Sequence, residues 1–508
     1  MKLQDLLEGI EVRRIAGETR REIEGIAYHT KQVRRGYLFA AIRGMEVDGH
    51  TFINEAVRGG AEAILLEEGQ EIPERTAVFV ANSRQALARI SSNFYGNPSS
   101  QMTLIGITGT NGKTTTSYLL ESILRRAGFS PGVIGTINYR YGQKTIPAPN
   151  TTPESLDLQR ILREMAGQGA SHVIMEVSSH ALDLDRVFGC QFDVAVFTNL
   201  TAEHLDYHKT LDRYFESKKR LFALLSKSEK KKRFAVTNRD DPRGEEIVAG
   251  IGLPVIRHGM SRGSDLSVDR VASTFGGLSF RMKTPKGHLP VKSKLIGDFN
   301  LSNIMAAASA AMALGIPMGA IQEGIERLEG VSGRFERVEN GRGIHVIVDY
   351  AHTHDALERA LLGLKGVLEN LPRKNGKMIT VFGCGGDRDR MKRPLMARVA
   401  GTYSDLTVLT SDNPRREDPL AVMEEAEKGF ASLSLREWPE GEIAAWRSRK
   451  GYMKIADRRE AIRTAIRLAQ SSDTVLIAGK GHEDYQIIGK ERFPFDDRIE
   501  AKKALEEK

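Results

Sequence analysis

ITGTNGKTTT, residues 107–116, sets the architecture of this chain. The apolar run MTLIGITG (102–109) that leads into it reads as a strand, and SYLLESILRRAG (117–128) after it carries helical periodicity. A strand, a glycine-rich turn and a helix together point backbone N–H groups at an anion in front of the helix. Gly109 and Gly112 let the backbone fold tightly around Thr110 and Asn111. Lys113 then reaches the outer phosphates of a nucleotide, Thr114 sets its hydroxyl on Mg²⁺, and Thr115 shares that first helical turn. The spacing departs from the usual eight-residue phosphate loop, because five residues rather than four separate Gly106 from Gly112. Lysine followed by threonine in this setting nevertheless predicts ATP or GTP binding.

Working outward, residues 1–100 alternate short strand and helix patterns. AILLEE (63–68) and TAVFVA (76–81) read as strands, HTFINEAVRGGA (50–61) as a helix between turns, and SSNFYGNPSS (91–100) as a linker. A second unit, 101–334, continues with SHVIMEVS, FDVAVFTNL and RFAVTN, and breaks after GVSGR. A third, 335–508, restarts with IHVIVDYAH, then KMITVFGCGG, DLTVLTSD and DTVLIAGKG, each followed by helical pattern. The expected fold class is α/β in three domains: a central phosphate-loop-type parallel sheet, a C-terminal doubly wound (Rossmann-like) domain and a smaller N-terminal unit.

Composition excludes several classes. Of 508 residues, 40% are apolar and 28% charged, an ordinary globular balance. Two distant cysteines, Cys190 and Cys384, make neither a disulfide framework nor a zinc site and fit a reducing compartment. The N-terminus MKLQDLLEGIEV has no signal-peptide core, so a cytoplasmic location is expected. No apolar run approaches the roughly 20 residues that span a bilayer; Ile304–Ile316, alanine-rich and short, reads as a packed helix. The net charge of +8 is spread along the chain and aromatics are sparse, which argues against nucleic acid and for polyanionic small substrates.

GTNGKTTT resembles the phosphate loop of the Mur ligases and folylpolyglutamate synthases. NTTP (150–153), MEVSSHAL (175–182), TNLTAEHLDYH (198–208), DYAHTHDAL (349–357), FGCGGDRDRMKRP (382–394), SDNPRREDP (411–419) and AGKGHEDYQ (478–486) follow in that family's order. Some of their chemistry stands alone: Glu176 ends an apolar strand, where a carboxylate faces the ligand crevice and suits Mg²⁺. The resemblance implies the rest. His204 becomes a metal or phosphate contact, with His208 nearby. Lys218, four residues after Tyr214 and next to Lys219, becomes the lysine that CO₂ converts to a carbamate for a second Mg²⁺. Arg334 falls near the γ-phosphate of ATP, Asp349 near the ribose and Asn303 on the adenine side.

The last domain carries amino-acid selection. Arg415, in Asp412-Asn413-Pro414-Arg415, offers a planar fork for a carboxylate, and Arg388, Gly479 and Glu483 match the family's other amino-acid contacts. By resemblance, Tyr28, Thr30, Asn150, Thr151, Thr152, Ser178 and Arg186 hold a UDP-linked substrate. His29-Thr30-Lys31 departs from the family's Asp-Ser-Arg, and Leu184 stands where some relatives have Gln. The implied activity is ATP-dependent addition of meso-diaminopimelate to UDP-MurNAc-L-Ala-D-Glu through an acyl phosphate, by a monomer, in peptidoglycan precursor synthesis. Alternatives are a lysine-adding or folylpolyglutamate-type ligase, or a phosphate-loop ATPase switch.

Overall fold

The computed structural model describes residues 1–44, 47–67, 75–370 and 376–507. In the first hundred residues, strands Gly25–Ala27, Tyr37–Ala40, Ala61–Leu66 and Thr76–Val80 run parallel, and Val12–Ala16 lies antiparallel along the outer edge of Thr76–Val80. Ala63, Ile64, Leu65 and Leu66 are fully buried, as a parallel strand covered on both faces requires. Helix Ser83–Phe94, capped by the Asn82 side chain, leads through a turn at Pro98–Ser100 into the next sheet.

Thr103–Thr108 runs through the middle of that eight-stranded sheet, parallel to His172–Glu176 on one side and Val194–Phe197 on the other. Pro131–Ile134, Phe234–Asn238 and Val255–His258 extend the parallel set, and the hairpin Asn138–Tyr141/Lys144–Pro147 closes one edge antiparallel. This order sets three strand ends side by side, so the phosphate loop, Glu176 and residues 198–208 open onto one crevice. Helix Lys113–Arg126 packs against helices Phe299–Ala313 and Met318–Arg327. The second is built from strong helix formers with small side chains, and Ala306, Ala307, Ala308, Ala310 and Ala311 are fully buried within it. The third approaches so closely that a Cβ on Gly324 would lie 2.4 Å from Ile123 Cα.

One element goes beyond the sequence reading, an antiparallel meander of Ser267–Thr274, Gly277–Thr284 and Gly287–Ser293. Leu278, Phe280 and Met282 point into the core while Ser279, Arg281 and Lys283 alternate outward, the period of a half-buried strand. At its first turn the Phe275 ring stacks on His345 of the following unit, centroids 3.6 Å apart.

The third sheet is ordered Glu336–Val338, His345–Asp349, Thr474–Ala478, Met378–Cys384, Leu406–Ser411, Gly451–Lys454, Arg436–Glu437, all parallel except the first. Two separate apolar cores cover its faces, one under helices His354–Glu369, Lys392–Tyr403 and Pro419–Glu427, the other under Arg458–Leu468 and Asp497–Glu506. Thr474–Ala478, late in sequence, inserts between His345–Asp349 and Met378–Cys384. That reversal opens a crevice at the carboxyl ends of these strands, where Asp349, Gly385, Asp412 and Gly479 converge. Among the described residues no helix is long and apolar enough to cross a membrane.

Candidate active site

The phosphate loop is held by contacts that only glycine permits. A Cβ on Gly109 (φ 148°) would lie 1.9 Å from Thr198 Oγ1, and one on Gly112 (φ 87°) would lie 2.2 Å from Asn303 Oδ1. Asn111 N–H donates to Asn199 Oδ1 at 2.9 Å, and the Thr110 hydroxyl accepts from Thr201 N–H at 3.0 Å. Lys113 folds back over this loop, donating to the carbonyls of Gly109 (2.8 Å) and Thr110 (2.9 Å). Burial, against the pull of Glu203 and Glu176, pushes its pKa down.

Thr114, in the first turn of its helix, donates to Glu176 Oε2 at 2.9 Å. Thr136 fixes the same carboxylate through its hydroxyl (2.8 Å) and its N–H (3.1 Å). Arg334 reaches across from the domain junction, Nη2 to Thr114 Oγ1 at 3.2 Å, with its guanidinium 4.5 Å from the Tyr350 ring centroid. Its Nε is buried without a hydrogen-bond partner, and among the described residues neither Lys113 nor Arg334 forms an ion pair. Two cations without anions, beside a hydroxyl–carboxylate pair, fit a polyphosphate with its Mg²⁺. Thr114 and Arg334 border a cavity of about 470 Å³ whose wall also includes Asn111, Thr115, Asn303 and Asp349. Asn303 Nδ2 donates to Asn300 Oδ1 (2.8 Å), and the Asp349 carboxylate accepts from the N–H groups of Phe335 (2.7 Å) and Ala351 (2.9 Å).

Of the two adjacent lysines, Lys218 is 1% exposed with Nζ 4.1 Å from the Tyr214 ring centroid, while Lys219 is on the surface, 3.8 Å from Glu216. Burial first and the Lys113 charge second push the Lys218 amine well below its ordinary pKa. His204, in a left-handed conformation (φ 57°), sets its ring 4.9 Å from that of His180 and 6.1 Å from that of Tyr214. Burial lowers its pKa to about 4. His208 turns away, bonded to Ser179 (3.0 Å) and Ser217 (3.3 Å), and is a packing residue.

The loop after the hairpin ties into the same strand end. The Thr152 hydroxyl donates to Glu176 O (2.8 Å) and accepts from Ser178 N–H (3.1 Å), and Arg186 Nη1 donates to Thr152 O at 3.1 Å. Thr151 meets Thr136 hydroxyl to hydroxyl at 3.2 Å, Asn150 O accepts from the Tyr139 hydroxyl, and Ser178 caps helix Ser179–Asp183. Arg186 continues to Glu154 (3.4 Å) and Glu154 to Arg84 of the first unit (3.2 Å). Tyr28 donates its hydroxyl to Asp157 at 2.7 Å, and its ring packs against the core of the first unit. Thr30 opens a short turn, Thr30–Gln32, in the first unit and shares no recorded contact with the loop at 150–152 among the described residues.

At the third sheet, Gly385 lies beneath the Arg415 guanidinium and the Arg388 stem, a Cβ there falling 3.0 Å from Arg415 Nη1 and 3.6 Å from Arg388 Cγ. Arg415 sits at φ 51° and donates to Gly386 O at 2.7 Å; burial and the Arg388 charge push its pKa down. Pro414 packs its carbonyl against Gly386, and Asp412 lies under Gly479, whose Cβ would be 2.7 Å from Asp412 Oδ2. Asn413 Nδ2 donates to Glu483 Oε2 at 2.9 Å.

Three residues with a place in this crevice escaped the sequence reading. Glu203, adjacent to His204, is partly buried, 3.5 Å from His352 of the last domain. Burial alone would raise its carboxyl, but His352, His204 and Lys113 outweigh that and hold it below the carboxylate range. Asp355 accepts from Asn111 Nδ2 (3.1 Å) and the Thr201 hydroxyl (2.9 Å), joining the last domain to the phosphate loop. Lys480 is fully buried among Asp412, Asn413 and Glu483. Each lies inside a quoted motif, so the available signal was a charged residue in a motif that follows a strand.

A phosphate loop facing a carboxylate-lined crevice, with an acid–base-rich third domain across from it, defines a nucleotide-dependent ligase of three units. Residues 107–311 match the Mur ligase middle domain, 333–481 the Mur ligase glutamate ligase domain and 22–95 the Mur ligase family catalytic domain. UDP-N-acetylmuramoyl-L-alanyl-D-glutamate–2,6-diaminopimelate ligases of Geobacter metallireducens and Geobacter sulfurreducens are 49% and 48% identical. The alignments cover 100% and 99% of this chain and 99% and 98% of theirs. A solved structure bearing the same ligase name superposes with TM-score 0.69 at 32% identity, covering 100% of this chain and 99% of that one. The chain belongs to the Mur ligase family, whose members form amide bonds at the expense of ATP.

Proposed function

We propose that this ligase joins meso-diaminopimelate to the D-glutamate of UDP-MurNAc-L-Ala-D-Glu, as a cytoplasmic monomer making a peptidoglycan precursor. The observation that carries this reading is Arg415. It is a half-buried guanidinium beside Arg388, bonded to one carbonyl and to no carboxylate among the described residues. A planar cation so placed suits the distal carboxylate that distinguishes diaminopimelate from lysine. Glu483, bonded to Asn413 beside it, is the carboxylate that would receive the distal ammonium. The names of the full-length relatives agree with this choice of substrates.

In this reading ATP occupies the cavity bordered by Asn303 and Asp349, with its phosphates on the loop at 109–115. The D-glutamate γ-carboxylate attacks the γ-phosphorus, the bond to the β–γ bridging oxygen breaks to release ADP, and Lys113 and Arg334 hold the charge on the transferring phosphoryl group. Thr114 and Glu176 would hold Mg²⁺, which would supply neutralisation of the phosphate charge. Thr136 keeps both Glu176 oxygens oriented for that contact. Burial and the Lys113 charge push the Lys218 amine toward the neutral form that CO₂ requires; as a carbamate it would become an anion beside Lys113 and His204. Thr152, Ser178 and Arg186 brace the loop that presents the UDP-linked substrate, with Tyr28 and Thr30 toward its uridine end. The diaminopimelate amine then displaces phosphate from the acyl phosphate. Residues across the crevice position the amine and exclude the water that would hydrolyse that intermediate.

Incubating the protein with ATP, Mg²⁺, the UDP-dipeptide and meso-diaminopimelate tests the proposal by mass spectrometry. A product heavier by one diaminopimelate less one water, with stoichiometric ADP, is expected. ADP release without that product would refute it.

A further inference from the structure

Lys480 occupies an unusual place for a lysine. It lies in a Gly-Lys-Gly turn after strand Thr474–Ala478, and both glycines have positive φ, Gly479 at 118° and Gly481 at 53°. A Cβ on Gly481 would come within 2.5 Å of Gly333 O and 2.7 Å of Tyr350 Cβ. The turn therefore runs under the domain junction and drives the side chain inward, where it is 0% exposed. Burying an ammonium is costly unless acceptors surround it. Its Nζ lies 3.0 Å from Asn413 Oδ1, 3.2 Å from Glu483 Oε2 and 3.5 Å from Asp412 Oδ1. Asp412 Oδ1 has no hydrogen bond of its own, so Lys480 supplies its compensation.

The pattern at Glu483 is one-sided. Oε2 accepts from Asn413 Nδ2 (2.9 Å) and from Lys480 (3.2 Å), while among the described residues none donates to Oε1. Asn413 is locked in the flip this needs, because its Oδ1 accepts from Lys480 and from Ile487 N–H (2.9 Å). We infer that Lys480 is a positioning residue for amino-acid selection: it ties down one oxygen of Glu483 and the orientation of Asn413, so that the other oxygen of Glu483 is presented to the substrate's distal ammonium. This rests on the reading of Glu483 as the ammonium contact. Lys480 itself touches no substrate; it works through Glu483 and Asn413.

The test compares meso-diaminopimelate with 2-aminopimelate, which keeps the distal carboxylate and lacks the distal ammonium. Lys480→Met is expected to raise the KM for meso-diaminopimelate about tenfold or more, the scale of one misplaced charged hydrogen bond. The KM for 2-aminopimelate, and those for ATP and the UDP-dipeptide, should stay near their wild-type values. Because Lys480→Met leaves two carboxylates without their cation, Lys480→Met/Glu483→Gln is measured beside Glu483→Gln, with thermal unfolding of each protein. If Lys480 acts through Glu483, removing it from the Glu483→Gln background costs little further selectivity. Equal losses for both amino acids, or additive losses in the double variant, would overturn the inference. A wild-type enzyme indifferent to the distal ammonium would instead overturn the reading of Glu483.

Discussion

The nucleotide crevice and the amino-acid crevice lie at the carboxyl ends of two parallel sheets, yet they hold charge in opposite ways. Around the phosphate loop, Lys113 and Arg334 are cations that form no ion pair among the described residues, and Lys113 bonds to loop carbonyls instead. In the third domain the cation Lys480 is already matched by Asp412, Asn413 and Glu483, and the guanidinium of Arg415 projects from that cluster. One site waits for a polyanion to complete it; the other is preassembled and reserves one cation for the ligand. Binding energy at the first is therefore expressed as charge develops in phosphoryl transfer, and at the second as discrimination between substrates.

The contrast predicts graded effects. Lys113→Ala removes a charge that acts in the transition state, so kcat should fall by roughly 10²–10³-fold or more, with little change in amino-acid KM. Near wild-type turnover in the purified variant would erase the distinction between the two sites. Lys218→Ala should lower kcat by roughly 10²-fold and recover with added short-chain carboxylates, which take the carbamate's place. Failure of acetate or propionate to restore any rate would argue against an anion at that position. Arg415→Ala should raise the KM for meso-diaminopimelate about thirtyfold, matching the loss of about 2 kcal/mol or more from an unpaired charged contact. The KM for ATP should not move, and a change confined to ATP would misplace the residue. Smallest is Tyr28→Phe, which removes the hydrogen bond to Asp157 and should lower unfolding stability by about 1 kcal/mol in denaturant titrations.

How much was readable in the sequence differed between the same two regions. The phosphate loop is local: ten consecutive residues, 107–116, carry the strand end, both glycines, Lys113 and Thr114. Their pattern alone predicts the nucleotide, and the alternation of strand and helix patterns after them predicts the parallel sheet. Arg388, Arg415 and Glu483 come from three separate strand ends, and only the insertion of Thr474–Ala478 between two earlier strands brings them together. No spacing rule reveals that; the family's motifs did. Glu203, Asp355 and Lys480 stayed hidden because their roles depend on partners 149, 244 and 67 residues away, namely His352, Asn111 and Asn413. The meander at 267–293 has an ordinary alternating pattern, and its significance lies in a tertiary contact, Phe275 on His345. Choosing Lys218 over Lys219 depends on which helix face is buried, and the structure places Lys218 inward.

The central claim, that the third domain selects an amino acid by its distal charged groups, is tested most directly by amino-acid-dependent ADP release. The wild-type enzyme is given ATP, Mg²⁺ and UDP-MurNAc-L-Ala-D-Glu, then meso-diaminopimelate, L-lysine or no amino acid. The account predicts rapid release with meso-diaminopimelate and a rate near the blank with L-lysine, because lysine leaves Arg415 without a carboxylate. Equal kcat/KM for the two amino acids would contradict it.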